Sequence, residues 1–402
     1  MPAALRNLRG GAQLAFSAAA GLTTAVEQMH ETIARRPLPW NSRPDHLSRA
    51  HGIVASGVYA VIQGVLGATA KGVDLSLRTL PGATAAEPDT PRAIRYLAAL
   101  NGVCGDHLEA TGNPLAIGME PVQCGLPVAA TPQGLAAAYP DASPHIAVLV
   151  HGLCLSELGW CRDEQPDIGS RLQDSHGLTP VYLRYNSGRH ISSNGQQLAG
   201  LLEELCSAWP VPVESLSLIG HSMGGLVIRS ACWYGNQAGR AWLHKMRRAV
   251  YLGTPHHGSP VERAGHLFDL AMRSIQYVEP LMFGSRRSAG IKDLRYGNLL
   301  DEDWQQQDSG LGLVDRRLAV PLLSGVDHYF AAASVGRHER DPVGHLLGDW
   351  LVRSGSAVGA HADAARRLTI RPENCRIFHE KGHLHLLSDA EVHAQIIEWF
   401  GG

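Results

Sequence analysis

Gly220-His221-Ser222-Met223-Gly224 interrupts an apolar run and is where the chain first offers chemistry. Leu216-Ser217-Leu218-Ile219 before it reads as a buried strand, and Gly225-Leu226-Val227-Ile228-Arg229 after it as a helix. A serine between glycines at a strand-to-helix break fits the G-x-S-x-G pattern. The turn is too tight for neighbouring side chains, and it lifts the hydroxyl to a helix N-terminus whose partial positive charge favours a developing anion. No lysine follows the glycines, so this is not a phosphate loop. A serine hydroxyl needs a base, normally a histidine held by a carboxylate, with the histidine after the last strand. The segment His379-Glu380-Lys381-Gly382-His383-Leu384-His385 offers three histidines, of which His383, on the loop past Gly382, is best placed. An oxyanion hole needs two backbone N–H groups. Met223 supplies one, and Leu153, after the strand-ending His151-Gly152 pair, is placed to supply the other.

These residues need a framework, and the pattern from about residue 145 provides one. His145–Gly152, Pro180–Gly188, Ser215–Gly220, Arg247–Pro255, a stretch within Val320–Ser334 and Cys375–His383 read as short apolar strands alternating with helices. Near-continuous apolar strands of this kind indicate a mostly parallel sheet covered on both faces, an α/β class. A helical insertion at about 261–312 breaks the alternation, and its Leu267, Phe268, Leu270, Ile275, Val278, Leu281, Met282 and Phe283 suit a lid or cap.

Residues 1–140 differ, being rich in Ala and Gly and helical in pattern, and are expected to form an accessory region ahead of a catalytic domain over 141–402. Val54, Val58, Val61 and Val65, widened by Ile62 and Leu66, form an apolar helix face. Gly52 to Ala70 is uncharged, but Ser56, Tyr59, Gln63, Thr69 and several glycines argue against a membrane span. The expectation is an amphipathic helix packed on the main domain, with contact to a lipid surface as the alternative. The weakly apolar first residues read as a helix rather than a leader, which fits a cytoplasmic protein.

The formal charge of −2 and the lack of interleaved basic and aromatic residues give no reason to expect nucleic acid. Seven cysteines match no zinc module and read as reduced thiols, with one disulfide, such as Cys154–Cys161, as the alternative. His256 and His257, in Gly253-Thr254-Pro255-His256-His257-Gly258-Ser259, read as structural.

Val148–Leu153, Leu218–Arg229, Leu252–Ser259, Leu346–Val352 and Gly382–Asp389 together resemble bacterial α/β-hydrolases of the lipase type, in particular the group similar to the catalytic domain of GPI inositol-deacylases. The resemblance spans about 145–402. It implies Ser222 as nucleophile, Asp349 as the acid and His383 as the base. Trp350 stands where the relatives carry glycine, and this leaves Asp327 and Asp341 as alternative acids. The implied activity is cleavage of a carboxylic ester, from a small molecule or a lipid, without metal or organic cofactor. Acyl transfer by the same residues, or a non-catalytic lipid-associated role, are the alternatives.

Overall fold

The computed structural model describes residues 2–35, 45–78, 89–161, 165–259, 287–305, 317–338, 341, 349, 352, 354–361 and 363–401. It divides into two compact units, Met1–Pro88 with Leu108–Leu115, and Asp89–His107 with Ala116–Gly402.

In the first unit, α1 (Ala3–Arg35) and α2 (Asp45–Arg78) run along one another. Arg9 Nε donates to Asp74 Oδ1 at 2.5 Å, Gln13 Nε2 to the same oxygen at 2.6 Å, and Gln63 Nε2 to Thr24 Oγ1 at 3.1 Å. Residue 9 opposite 74 and 24 opposite 63 make the pair antiparallel. On the apolar stripe of α2, Val61 is 66% exposed, and Ile62 and Val65 are also exposed. The helix–helix seam instead carries the polar contacts just named. The side chains of Val54 and Val58 lie outside the described residues. Among those described, no helix is long and apolar enough to cross a membrane.

The second unit is built on an eight-stranded sheet. Its strands are β1 (Glu120–Gln123), β2 (Leu126–Pro127), β3 (His145–Val150), β4 (Thr179–Arg184), β5 (Ser215–His221), β6 (Met246–Leu252), β7 (Asp327–Ser334) and β8 (Cys375–His379). Their order across the sheet is β2-β1-β4-β3-β5-β6-β7-β8. From β4 to β8 every pairing is parallel, with Val150 beside Gly220 and His221 beside Leu252 at the carboxyl ends. β1 is antiparallel to both β2 and β4. Ala147, Leu149, Ile219 and Val250 face one apolar layer with Ile168 and Leu172 of α5 (Ile168–His176) and Val392 and Ile396 of the last helix, Ala390–Gly401. Successive strand residues point to opposite faces, so the equally buried Ile146, Val148 and Leu218 face the other layer. There α6 (Ile191–Ala208) packs on α7 (Met223–Gln237), which lies against β5 and β3. The mostly parallel, doubly covered sheet matches the sequence expectation.

The boundary expected at 140/141 does not. The sheet starts at Glu120, a short helix α4 (Pro132–Ala138) follows β2, and the kinked helix α3 (Pro91–Ala110), with non-helical angles at Cys104, contributes its residues up to His107 to the second unit. Gly102 and Gly105 let α3 approach the loops after β3 and β4, and Asn186 Nδ2 donates to Gly105 O at 2.9 Å. The insertion expected over 261–312 is described only at 287–305, where two short helices, Ala289–Tyr296 and Asp301–Gln305, form. Its apolar residues from Leu267 to Phe283 lie outside the described residues. All seven cysteines are free thiols, so Cys154 and Cys161 are not paired.

Candidate active site

Three sheet ends converge on Ser222. β5 stops at His221 and α7 starts at Met223, leaving Ser222 between them with φ 53° and ψ −121°. A non-glycine residue there carries roughly 1–3 kcal/mol of backbone strain. The surroundings hold it: Ser222 N–H donates to Leu252 O at 2.8 Å, and Gly225 N–H donates to Ser222 O at 3.1 Å. A Cβ on Gly224 would stand 2.2 Å from Val150 O, so the close pass of the turn over β3 needs glycine. Ser222 is buried, not on an open turn.

His383 opens a short helical turn, His383–Leu387, beyond β8. Its Nδ1 lies 2.6 Å from Asp349 Oδ2, and the two side chains are 2% and 1% exposed. Asp349 Oδ1 accepts the Val352 N–H at 2.6 Å, and His383 N–H donates to Asp349 O at 3.3 Å. A carboxylate only accepts, so Nδ1 carries the hydrogen and Nε2 presents a lone pair. That Nε2 is buried with no hydrogen-bond partner among the described residues. The base and the serine turn meet in two places. His221 Nε2 donates to His383 O at 3.3 Å, with the rings 4.7 Å apart. Gly253, the residue after the carbonyl that anchors Ser222, has φ 61°, and a Cβ on it would meet His383 Cε1 at 2.9 Å.

The other candidates lie elsewhere. Asp327, at the exposed start of β7, stands 4.0 Å from Arg371. Asp341 accepts the Arg337 N–H at 2.9 Å. His385 is exposed, its Nδ1 accepting the Gly382 N–H at 2.8 Å, and His379 ends β8. Geometry therefore brings Asp349, and neither alternative acid, to His383.

The segment His151–Leu153 follows β3 beside the serine: a Cβ on Gly152 would be 3.1 Å from that of Ser222. His151 Nδ1 donates to Gly152 O at 2.8 Å, and Leu155 N–H donates to the same oxygen at 3.2 Å. Carbonyl and following N–H point opposite ways across a trans peptide, so fixing Gly152 O turns the Leu153 N–H away from those donors. No described backbone hydrogen bond uses the Leu153 or Met223 N–H. Tyr185 stacks on His151 with centroids 4.3 Å apart, and its hydroxyl donates to His151 O at 2.8 Å. Burial lowers His151 to about 4 and so keeps the ring neutral. Sequence reasoning saw His151 only as part of a turn and missed Tyr185 altogether, since neither carries a motif of its own.

A strained serine between a central strand and a helix, at the carboxyl edge of a sheet with this strand order, decides the architecture. This is the α/β-hydrolase fold. Within it, residues 187–295 match the family model of the PGAP1-like alpha/beta domain, a span that contains the serine turn but neither Asp349 nor His383. No protein of curated function matches the sequence. Among solved structures, the α/β-hydrolase chain is similar to the mature lipase BlEst2 of Bacillus licheniformis, with 19% identity, TM-score 0.41, and coverage of 65% of this chain and 93% of that one. It is also similar to an esterase of Pyrobaculum calidifontis, with 13% identity, TM-score 0.41, and coverage of 76% and 92%.

His256 and His257 sit outside this cluster. His257 Nε2 donates to Gly359 O at 3.1 Å, and His256 packs against Tyr251 and Phe330. Among the described residues no group of His, Cys, Asp and Glu could hold a metal ion.

Proposed function

We propose that this chain is a serine hydrolase that cleaves carboxylic esters. The observation that carries the reading is the buried His383–Asp349 contact of 2.6 Å, with the opposite ring nitrogen unpartnered beside a strained serine turn. In the proposed reaction Ser222 Oγ attacks the acyl carbon while His383 Nε2 takes its proton, and Asp349 stabilises the imidazolium that results. The Leu153 and Met223 N–H groups receive the oxyanion. His383 then protonates the departing alcohol, and water activated by the same nitrogen releases the acid and frees the serine. The apolar residues of the 261–312 insertion favour a lipidic acyl chain over a small one.

A fluorophosphonate probe tests the reading directly. It is expected to label Ser222 covalently, with prior occupancy by a good ester slowing the labelling. A purified, folded protein that takes up no probe would overturn the proposal and favour a non-catalytic protein. Nitrophenyl esters of increasing chain length then define the acyl half, and added alcohol that is converted to a new ester would reveal acyl transfer in place of hydrolysis.

A further inference from the structure

Two stripes with the same spacing run along α2. Tyr59, Gln63, Leu66, Ala70 and Val73 are half-buried, and Gln63 bonds to Thr24 of α1. Val61, Val65, Ala68, Gly72 and Leu75 are offset by two residues, about 200° around the helix, and are exposed. In water a helix pair ordinarily buries an apolar stripe and turns its charged residues outward. Here Arg9, Gln13 and Asp74 bond one another in the seam, and among the exposed residues described on α2 Lys71 alone is charged.

The outer face of α2 is correspondingly apolar. Eight large hydrophobic residues are exposed in the described chain, and Val61, Ile62, Val65 and Leu75 of this one helix make up half of them. Single exposed hydrophobics are ordinary, but Val61, Ile62 and Val65 share little more than one helical turn. Charge narrows what could cover them. Met1–Pro88 holds eight Lys and Arg against five Asp and Glu, a net +3, and the rest of the chain carries the −5 that brings the total to −2. A second copy of this unit would bring the same positive sign to the contact, whereas a lipid layer with anionic headgroups brings the opposite one.

We propose that the outer face of α2 seats the protein on the surface of an anionic lipid layer. Val61, Ile62 and Val65 enter the boundary between headgroups and acyl chains, and the long Lys71 side chain reaches the headgroup phosphates. The helix lies along the layer, being neither long nor apolar enough to cross it. The contact is independent of the ester chemistry proposed for Ser222, and its test needs no substrate.

The test is co-flotation of the full chain with vesicles of phosphatidylcholine, with and without added phosphatidylglycerol. The native protein should float with the anionic vesicles, less with phosphatidylcholine alone, and less again as salt is raised. Val61→Gln combined with Val65→Gln places good helix formers at both exposed positions, so helicity and Tm should hold. That variant should bind the anionic vesicles about tenfold more weakly. Lys71→Gln should lose part of the preference for phosphatidylglycerol. Leu126→Gln, at an equally exposed apolar residue of β2, should bind as the native chain does. A native protein that stays off the vesicles overturns the proposal, as does a double variant that binds as well as the native chain. Equal binding to both kinds of vesicle overturns the anionic preference. Light scattering on the same samples covers the other occupant: a native dimer that Val61→Gln with Val65→Gln makes monomeric, and that does not float, gives the face to a second copy and overturns the lipid contact.

Discussion

His151 donates from Nδ1 to the carbonyl of Gly152, its own neighbour, 2.8 Å away. The contact spends a buried imidazole on fixing one peptide plane, and that plane ends in the Leu153 N–H. Replacing His151 by Ala should leave Ser222 reactive toward a fluorophosphonate but lower kcat by roughly 10–100-fold with little change in KM, less than the loss of a direct oxyanion donor. Tyr185→Phe, which removes only the hydroxyl bonded to His151 O, should cost less. Steady-state kinetics on a soluble ester measure both, and a variant with raised KM and intact kcat would count against an oxyanion role.

Ser222→Ala removes one oxygen and leaves the Cβ and the strained backbone in place. Turnover should fall by roughly 10⁶ while circular dichroism and Tm stay near the native values. A folded variant retaining a few per cent of the activity would move the nucleophile elsewhere.

Asp349→Asn should depress kcat by about 10⁴, because an amide can donate to Nδ1 and so favours the wrong tautomer of His383. His383→Ala should match the serine variant. Asp327→Asn and Asp341→Asn, whose partners are Arg371 and the Arg337 N–H, should be unaffected. Activity lost in Asp327→Asn alone would contradict the observed Asp349 contact.

Several histidines are held neutral by burial. His151 and His257 fall to about 4, His256 lies well below its usual 6.5, and His328 and His393 are also lowered. Between those lowered values and about pH 6.5 the unfolded chain binds more protons than the folded one, so the stability present above about pH 6.5 is lost as pH falls toward 4. Each ring contributes at most about 1.4 kcal/mol per pH unit to that slope. Urea midpoints at pH 7.5 and 5.5 should drop markedly between the two, and a flat profile would show that these rings remain solvated.

Burial also pushes the Cys154 and Cys232 thiols up to about 12, and burial together with a hydrogen bond to Asp167 does the same for Cys161. At pH 8 a disulfide reagent should therefore react quickly with the exposed Cys124 and slowly with the buried Cys154 and Cys232. Mass mapping of the labelled native protein would show it, and prompt modification of Cys154 would mean that the loop after β3 opens.

The serine turn was legible because its glycines, strand and helix all lie within one short stretch. The acid was not. Asp327, Asp341 and Asp349 all follow the serine in sequence, and only tertiary packing buries the last against His383 while leaving Asp327 exposed at a strand start. The first two strands were also missed. β1 is four residues long, and its hairpin turns through Cys124 and Gly125 with φ 51° and 78°. Two successive positive φ values usually announce themselves as Asn-Gly, and a cysteine in the first position hides the turn.

That small hairpin has a practical consequence. β1 covers one side of β4 through Glu120–Arg184, Pro121–Leu183 and Val122–Tyr182. A shortened protein beginning near residue 141, where the composition changes, would strip this cover and turn β4 into an open sheet edge. It would also lose the Asn186–Gly105 bond that ties α3 to the loop after β4. Such a fragment should self-associate through its unpaired backbone, whereas one that starts ahead of Pro91 keeps the edge closed.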